Sequence, residues 1–391
     1  MKALLLLIIS ISLYGVSIDK VIDTAYKNNP TIKKLQEQIL SKDYDILNSD
    51  LYKNPVITIG VNDINLDEPK KRDLEAMQTN FISFSQEITW SDKLKLKTKI
   101  EHINKDIIKL LLKEEKNKIA KDIYNLYFII EELNKKIQLN NKILQNTQKI
   151  KNYNNNQIQN TKAFQSSIQN DIIIDKTKLK IESYKELISQ KYAQLLEITN
   201  KDISNISIKK HPKYKDQNSI KKHLILQIQN TQIDKALNKK DLAIKNKTPN
   251  YTISGGYYNR DSFDDYINIA LKFPINIYSK EKNQVSKSKK LINIEKNRYN
   301  ELKNKLIKNY KISLSQYNLA SKSIEFTKKI IKHLKKEKEL ISKQNYNTSI
   351  LQILNLDNKI LKNSIDLEKY KKNLFIAQTN LSYLTSNLTK D

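Results

Sequence analysis

Asn29-Pro30-Thr31-Ile32, followed by Asn54-Pro55-Val56-Ile57-Thr58-Ile59-Gly60-Val61, decides the reading of this chain because the order returns. Its counterpart is His223-Leu224-Ile225-Leu226, followed by Thr248-Pro249-Asn250-Tyr251-Thr252-Ile253-Ser254-Gly255. In each copy a helix ends at a proline that opens a pair of alternating strands. A very long helix and then a shorter one follow. The chain is therefore an internal duplication.

Composition narrows what such a duplication can be. Of 391 residues, 39% are hydrophobic and 29% charged, with Gly 4 and Pro 6. That balance fits long solvated helices. So few backbone breakers leave no Gly-rich phosphate loop and no nucleophile elbow. Cys 0 excludes disulfides, a thiolate nucleophile and a cysteine-linked lipid anchor. The formal net charge of +28 is spread as lysines along helices, and arginine occurs only at Arg72, Arg260 and Arg298. A nucleic-acid binder concentrates its charge in one patch and uses arginine for bidentate contacts, so nucleic acid is not expected as a partner. At the N-terminus Lys2, an apolar run and Gly15-Val16-Ser17 read as a signal peptide over 1–17. Nowhere else does a run approach about 18 apolar residues, so a membrane could be crossed only by strands.

The long helices are read over 91–160 and 280–343. Apolar residues recur at three-four spacing, from Leu112 through Ile119, Ile123, Leu126, Ile130, Leu133, Ile137 and Leu144 in the first. Tyr317, Ala320, Ile324, Thr327, Ile331, Leu334 and Ile341 continue the pattern in the second. The first helix is about 100 Å long at 1.5 Å per residue. The shorter helices, 164–199 and 349–386, cover such lengths only when the helices preceding the strands (18–52 and 220–246) are added to them. The expected organisation is a first repeat over 18–199 with its hairpin at 55–90, an equatorial linker over 200–218, and a second repeat over 219–391 with its hairpin at 249–275. The two repeats form one interlocked protomer.

Each hairpin has one apolar and one small or polar face. Ile57, Ile59 and Val61 oppose Thr58, Gly60 and Asn62; Ile82, Phe84, Ile88 and Trp90 oppose Ser83, Ser85 and Glu87; Ile267, Ile269, Leu271 and Phe273 oppose Asn268, Ala270 and Lys272. Half-buried soluble hairpins share this pattern, as do strands that cross an outer membrane around an aqueous lumen. Four strands cannot close a barrel, which takes about eight, and lipid does not tolerate an open edge. A membrane reading therefore requires several copies. Tyr251, Tyr257, Tyr258 and Trp90 near strand ends are candidates for an interfacial girdle.

Four segments resemble the TolC family of outer-membrane efflux ducts: Ala25-Tyr26-Lys27-Asn28-Asn29-Pro30-Thr31-Ile32; Gln86-Glu87-Ile88-Thr89-Trp90 leading to Lys93; Phe273-Pro274-Ile275-Asn276-Ile277-Tyr278; and Tyr346-Asn347-Thr348-Ser349-Ile350-Leu351-Gln352-Ile353-Leu354-Asn355. The resemblance spans essentially the whole chain after the signal peptide. It implies a mainly α fold with a small β part: an α-helical barrel across the periplasm and a homotrimeric twelve-stranded transmembrane β-barrel, four strands per chain. It further implies a periplasmic adaptor and an inner-membrane pump of the resistance-nodulation-division or ABC type as partners, outer-membrane lipid around the barrel, no cofactor and no enzymatic chemistry. The expected function is passive conduction of small molecules or metal ions. A duct for type I protein secretion and, in another class, a secreted coiled-coil structural or adhesive protein are the alternatives.

The same resemblance places the tunnel entrance at Asn170, Asp171, Gln352 and Asn355, and adaptor contacts at Phe164, Ser167, Tyr346 and Ser349. Two positions that are acidic in TolC itself fall on the neutral Gln352 and Asn355. Asp171 keeps an acid, which also suits a residue near a helix start. The family's usual glycine before the tip turns is absent, with Asn154, Asn155, Asn156 and Asn345 expected to supply left-handed backbone instead. His102, His211, His223 and His333 lie apart without carboxylates at ligand spacing and are read as solvated residues, so no metal site is expected.

Overall fold

The elements follow from where the chain can and cannot continue a helix. The computed structural model describes residues 16–156, 161–208, 211–343, 350–386 and 388, so most of the expected signal peptide lies outside the described residues. Ser17 accepts a hydrogen bond from the Lys20 amide and opens α1 (Ile18–Asn28). Asn29 then ends α1 in an extended conformation, and its Oδ1 accepts from the amides of Thr31 and Ile32 at 2.9 and 3.2 Å. It thereby caps α2 (Pro30–Ser49), where Pro30 needs no amide partner. The single helix expected over 18–52 is two helices for this reason.

The remaining order is β2 (Val56–Asn62), β3 (Thr79–Ile88), α3 (Lys93–Asn155), α4 (Thr161–Thr199), a 3₁₀ turn at Gln217–Lys222, α5 (Leu224–Lys245), β5 (Tyr251–Asn259), β6 (Tyr266–Lys272), α6 (Lys280–Lys343) and α7 (Ile350–Leu384). The short strands β1 (Val16–Ser17) and β4 (Ile206–Ser207) pair in parallel. Ser91 and Ser279 precede α3 and α6 at equivalent places in the two repeats, and both have positive φ, 66° and 56°. Left-handed backbone is also found at Asn200 and Asn205 but not at Asn154, Asn155 or Asn156. The expectation for those three is corrected: Asn154 and Asn155 are still helical, because α3 runs through Asn155. Asn345 lies outside the described residues.

The chain divides into two compact units that cut across the repeats. One consists of residues 1–34, 112–224 and 302–391. The other consists of 35–111 and 225–301.

In the first unit, Ile18, Val21, Ile22, Ala25 and Ile32 pack with Ile119, Ala120, Ile123, Tyr124, Leu126, Tyr127, Phe128, Ile130 and Leu195 into one core. Burial along α4 recurs at Ser167, Asn170, Ile174, Thr177 and Ile181, and along α6 at Leu306, Tyr310, Ser313, Ala320 and Thr327. That three-four spacing is the seam of coiled-coil packing. Ion pairs register the helices: Lys151 of α3 with Asp171 of α4 at 2.5 Å, and Lys338 of α6 with Asp357 of α7 at 2.6 Å. His223 is corrected from a solvated residue to a buried one, 0% exposed, with its ring edge-to-face on Tyr383. His211 stacks on Phe375 with centroids 4.1 Å apart, held by aromatic faces although it lies at the surface.

In the second unit α2 lies beside the start of α3, with Lys42 bonded to Glu101 at 3.1 Å and Lys105 paired with Asp43. In α5, Gln229 donates to Glu295 of α6 at 2.6 Å, the equivalent contact in the second repeat. The four long strands form one antiparallel sheet in the order β2-β3-β5-β6. The two hairpins are joined there by the pairing of β3 with β5, which runs from Asn80↔Asn259 to Ile88↔Tyr251.

Candidate functional site: the sheet faces and the helix ends

Register decides what each face of the sheet presents. Ile57 stands opposite Phe84, Ile59 opposite Ile82, Ile82 opposite Tyr257, Ile253 opposite Leu271, and Tyr257 opposite Ile267. With Ile269 these residues make one apolar surface across all four strands, and every one is exposed, up to 82% at Ile269. A soluble protein rarely leaves so continuous an apolar surface open to water. The opposite face carries Thr58, Ser83, Gly256 and Asn268 in one cross-strand row and Val56, Ser85, Ser254 and Ala270 in the next. Ser83, Ser85 and Ser254 are half-buried and Gly256 is buried, so β3 and β5 shelter this face more than the apolar one.

The polar face also carries aromatic rings that sequence alternation did not single out. Gly60, Phe81, Tyr258 and Tyr266 are successive cross-strand neighbours. Phe81 stacks on Tyr258 at 5.2 Å, and Tyr258 on Tyr266 at 4.9 Å. A Cβ on Gly60 would sit 2.7 Å from the Phe81 ring, so this glycine is what lets the ring lie down on the strand. Tyr257 and Tyr258, grouped above as one girdle, are on opposite faces because alternation separates neighbours. Trp90 and Tyr251 do meet, edge-to-face at 5.7 Å, at the helix end of the sheet.

The base of the sheet is a polar knot. Lys93, only 4% exposed, donates to the Thr248 carbonyl at 2.5 Å and to Asn250 Oδ1 at 2.7 Å. Asn250 Nδ2 donates to Glu87 at 2.8 Å, and Glu87 also pairs with Lys53 at 2.6 Å. The motif Gln86 to Trp90 with Lys93 thus fastens the two hairpins to the head of α3. The motif Ala25 to Ile32 is likewise structural: Ala25 and Ile32 are fully buried, the Tyr26 hydroxyl donates to the Lys116 carbonyl at 3.0 Å, and burial pushes its pKa up. By contrast Phe273, Ile275, Ile277 and Tyr278 follow β6 as an exposed apolar segment.

At the other helix ends, Ser167 and Asn170 are buried in the first unit, and Ser167 donates to Asn155 Oδ1 at 2.6 Å. Asp171 is half-exposed and held by Lys151. Phe164, Gln352 and Asn355 are exposed. Tyr346 and Ser349 lie outside the described residues.

Among the described residues no helix is long and apolar enough to cross a membrane, and no group of three His, Cys, Asp or Glu could hold a metal ion. No family model and no curated protein sequence matches this chain. Solved structures do match. The open state of the MtrE outer membrane channel of Neisseria gonorrhoeae is 12% identical and superposes with a TM-score of 0.78 over 96% of this chain and 90% of that one. CusC, described in terms of folding and transmembrane channel formation, is 11% identical with a TM-score of 0.75 over 94% and 91%. The outer membrane protein VceC of Vibrio cholerae is 12% identical with a TM-score of 0.73 over 95% and 96%. This chain has the TolC-type outer-membrane channel fold. At these identities the likeness carries the fold, with its mainly helical body and small antiparallel sheet. The sheet carries its apolar face across β2, β3, β5 and β6, interrupted at Gly255 and Gln86.

Proposed function

We propose that this chain is the outer-membrane duct of an export system. The observation that carries the reading is the four-stranded sheet, with one exposed apolar face and one polar face in a single register. Such a surface is at rest in lipid on one side and against a water-filled lumen on the other. Its edges β2 and β6 carry no further strand among the described residues, so closure requires other copies of the chain. Three copies give twelve strands, the number the TolC resemblance implies. The exposed segment Phe273 to Tyr278 extends the β6 edge and fits burial against a neighbouring copy.

In this reading the helices stand in the periplasm. Their ends at Asn170, Asp171, Gln352 and Asn355 form the entrance, and Phe164, Ser167, Tyr346 and Ser349 meet a periplasmic adaptor that connects an inner-membrane pump. Small molecules or metal ions pass without chemistry by the chain itself. The Lys151 contact keeps the Asp171 charge partly neutralised, which moderates repulsion between three copies at one tip. Purified protein in detergent is expected to have the native mass of a trimer and to open ion-conducting channels in planar lipid bilayers. A stable monomer without conductance would refute the duct.

A further inference from the structure

Aromatic rings on the lipid side of a barrel belong to its interfacial belts. Phe81, Tyr258 and Tyr266 have no such role, because they stand on the face whose neighbouring row is Thr58, Ser83, Gly256 and Asn268. They form a stack across three strands near the loop end of the sheet, with planes within 19° and 4° of parallel. Phe81 leans over Gly60, which has no side chain to cover the ring. At the far end of the stack the Arg260 guanidinium lies 5.2 Å from the Tyr266 ring centre and 5.8 Å from that of Phe263. A planar cation from the chain's own loop therefore already rests on the ladder.

Charge around the ladder points the same way. The loop 63–78 holds Asp63, Asp67, Glu68, Asp73 and Glu75 against Lys70, Lys71 and Arg72, and the loop 260–265 holds Asp261, Asp264 and Asp265 against Arg260. Carboxylates thus outnumber basic groups two to one beside the ladder, in a chain whose formal net charge is +28. Stacked rings attract cations to their faces, and a negative rim raises the local concentration of cations.

We propose that the Phe81–Tyr258–Tyr266 ladder is an exit subsite for planar aromatic cations leaving the duct. This rests on the duct reading above, and it adds a class of cargo and a place where that cargo pauses. A flat cation adds to the stack as the Arg260 guanidinium does; a bulky tetrahedral cation of equal charge feels the same field but has no face to stack.

The test uses full-length protein in a planar bilayer, with ethidium or tetrapropylammonium added on the loop side. Ethidium is expected to block the current about tenfold more tightly than tetrapropylammonium, as two added ring contacts would give. In the double variant Tyr258→Leu/Tyr266→Leu that preference is expected to fall to near parity. Equal block by the two cations in the unaltered protein overturns the subsite, whether or not the variant assembles. An ethidium preference that survives in the variant places its binding elsewhere and overturns it too. Protein that opens no channel refutes the duct itself, a separate result from a channel without selectivity.

Discussion

His223 gives the fold a pH dependence whose size can be worked out. Its ring is fully buried against Tyr383, and burial lowers its pKa from 6.5 to about 4. Between those values the unfolded chain takes up a proton that the folded chain refuses. Stability is therefore lost as pH falls through 6.5, and the loss saturates below about 4. One imidazole with this shift costs on the order of 1 kcal/mol at pH 5.5 and about 2 to 3 kcal/mol at pH 4.5. Glu114 acts in the opposite sense. Burial raises its pKa, with the Tyr383 hydroxyl opposing, so the folded state gains relative stability as that carboxyl protonates. The wild-type profile is a sum, and His223→Gln separates it. Urea unfolding in detergent, followed by circular dichroism at 222 nm, measures both proteins from pH 7.5 to 4.5. The stability gap between wild type and variant is expected to narrow by about 2 to 3 kcal/mol across that range. Parallel profiles would refute a neutral buried imidazole.

Other perturbations have defined directions. Ser91→Gly and Ser279→Gly, at φ 66° and 56°, are expected to stabilise by about 1 kcal/mol each, and Ser91→Val to destabilise; a loss of stability on going to glycine would argue against strain there. Lys93→Met leaves the Thr248 carbonyl and Asn250 Oδ1 without their donor, and should lower stability by about 2 kcal/mol. Trp90 is the only tryptophan and packs on Tyr251 nearby, so its emission during denaturation reports this change directly. Gly60→Val puts methyl groups where the Phe81 ring lies and should reduce the yield of folded protein, with Phe81→Ala in the same chain restoring it; failure of that rescue would mean the ring is not the obstacle.

Much of this architecture was legible because local rules agreed. The second long helix was read over 280–343, the bounds of α6, since no proline or glycine interrupts its three-four stripe. Prolines at 55 and 249 marked where strands begin. What stayed hidden depends on partners distant in sequence. Nothing near residue 223 announces that its imidazole will be sealed against Tyr383. The pairing of β3 with β5 is set by register between two repeats, so the alignment of Phe81 with Tyr258 could not be read from either hairpin alone. Asn29 closes α1 with its backbone amide and opens α2 with its side-chain oxygen, while its side-chain amide donates to the Ile198 carbonyl at 2.8 Å, a partner remote in sequence. The entrance and adaptor residues rest on the TolC resemblance, since solvated helix ends carry little periodic signal.

The division of the chain into units that each draw on both repeats bears on how it must be made. The unit containing the sheet needs residues up to 301, and the other needs its first helix, its middle and its last ninety residues together. Neither can close while the chain is still emerging from its N-terminal end. Contacts this remote in sequence form slowly, and until they do the apolar strands remain open to wrong pairing. The duplication that makes the finished molecule regular thus ties the closing of both units to the arrival of the second repeat.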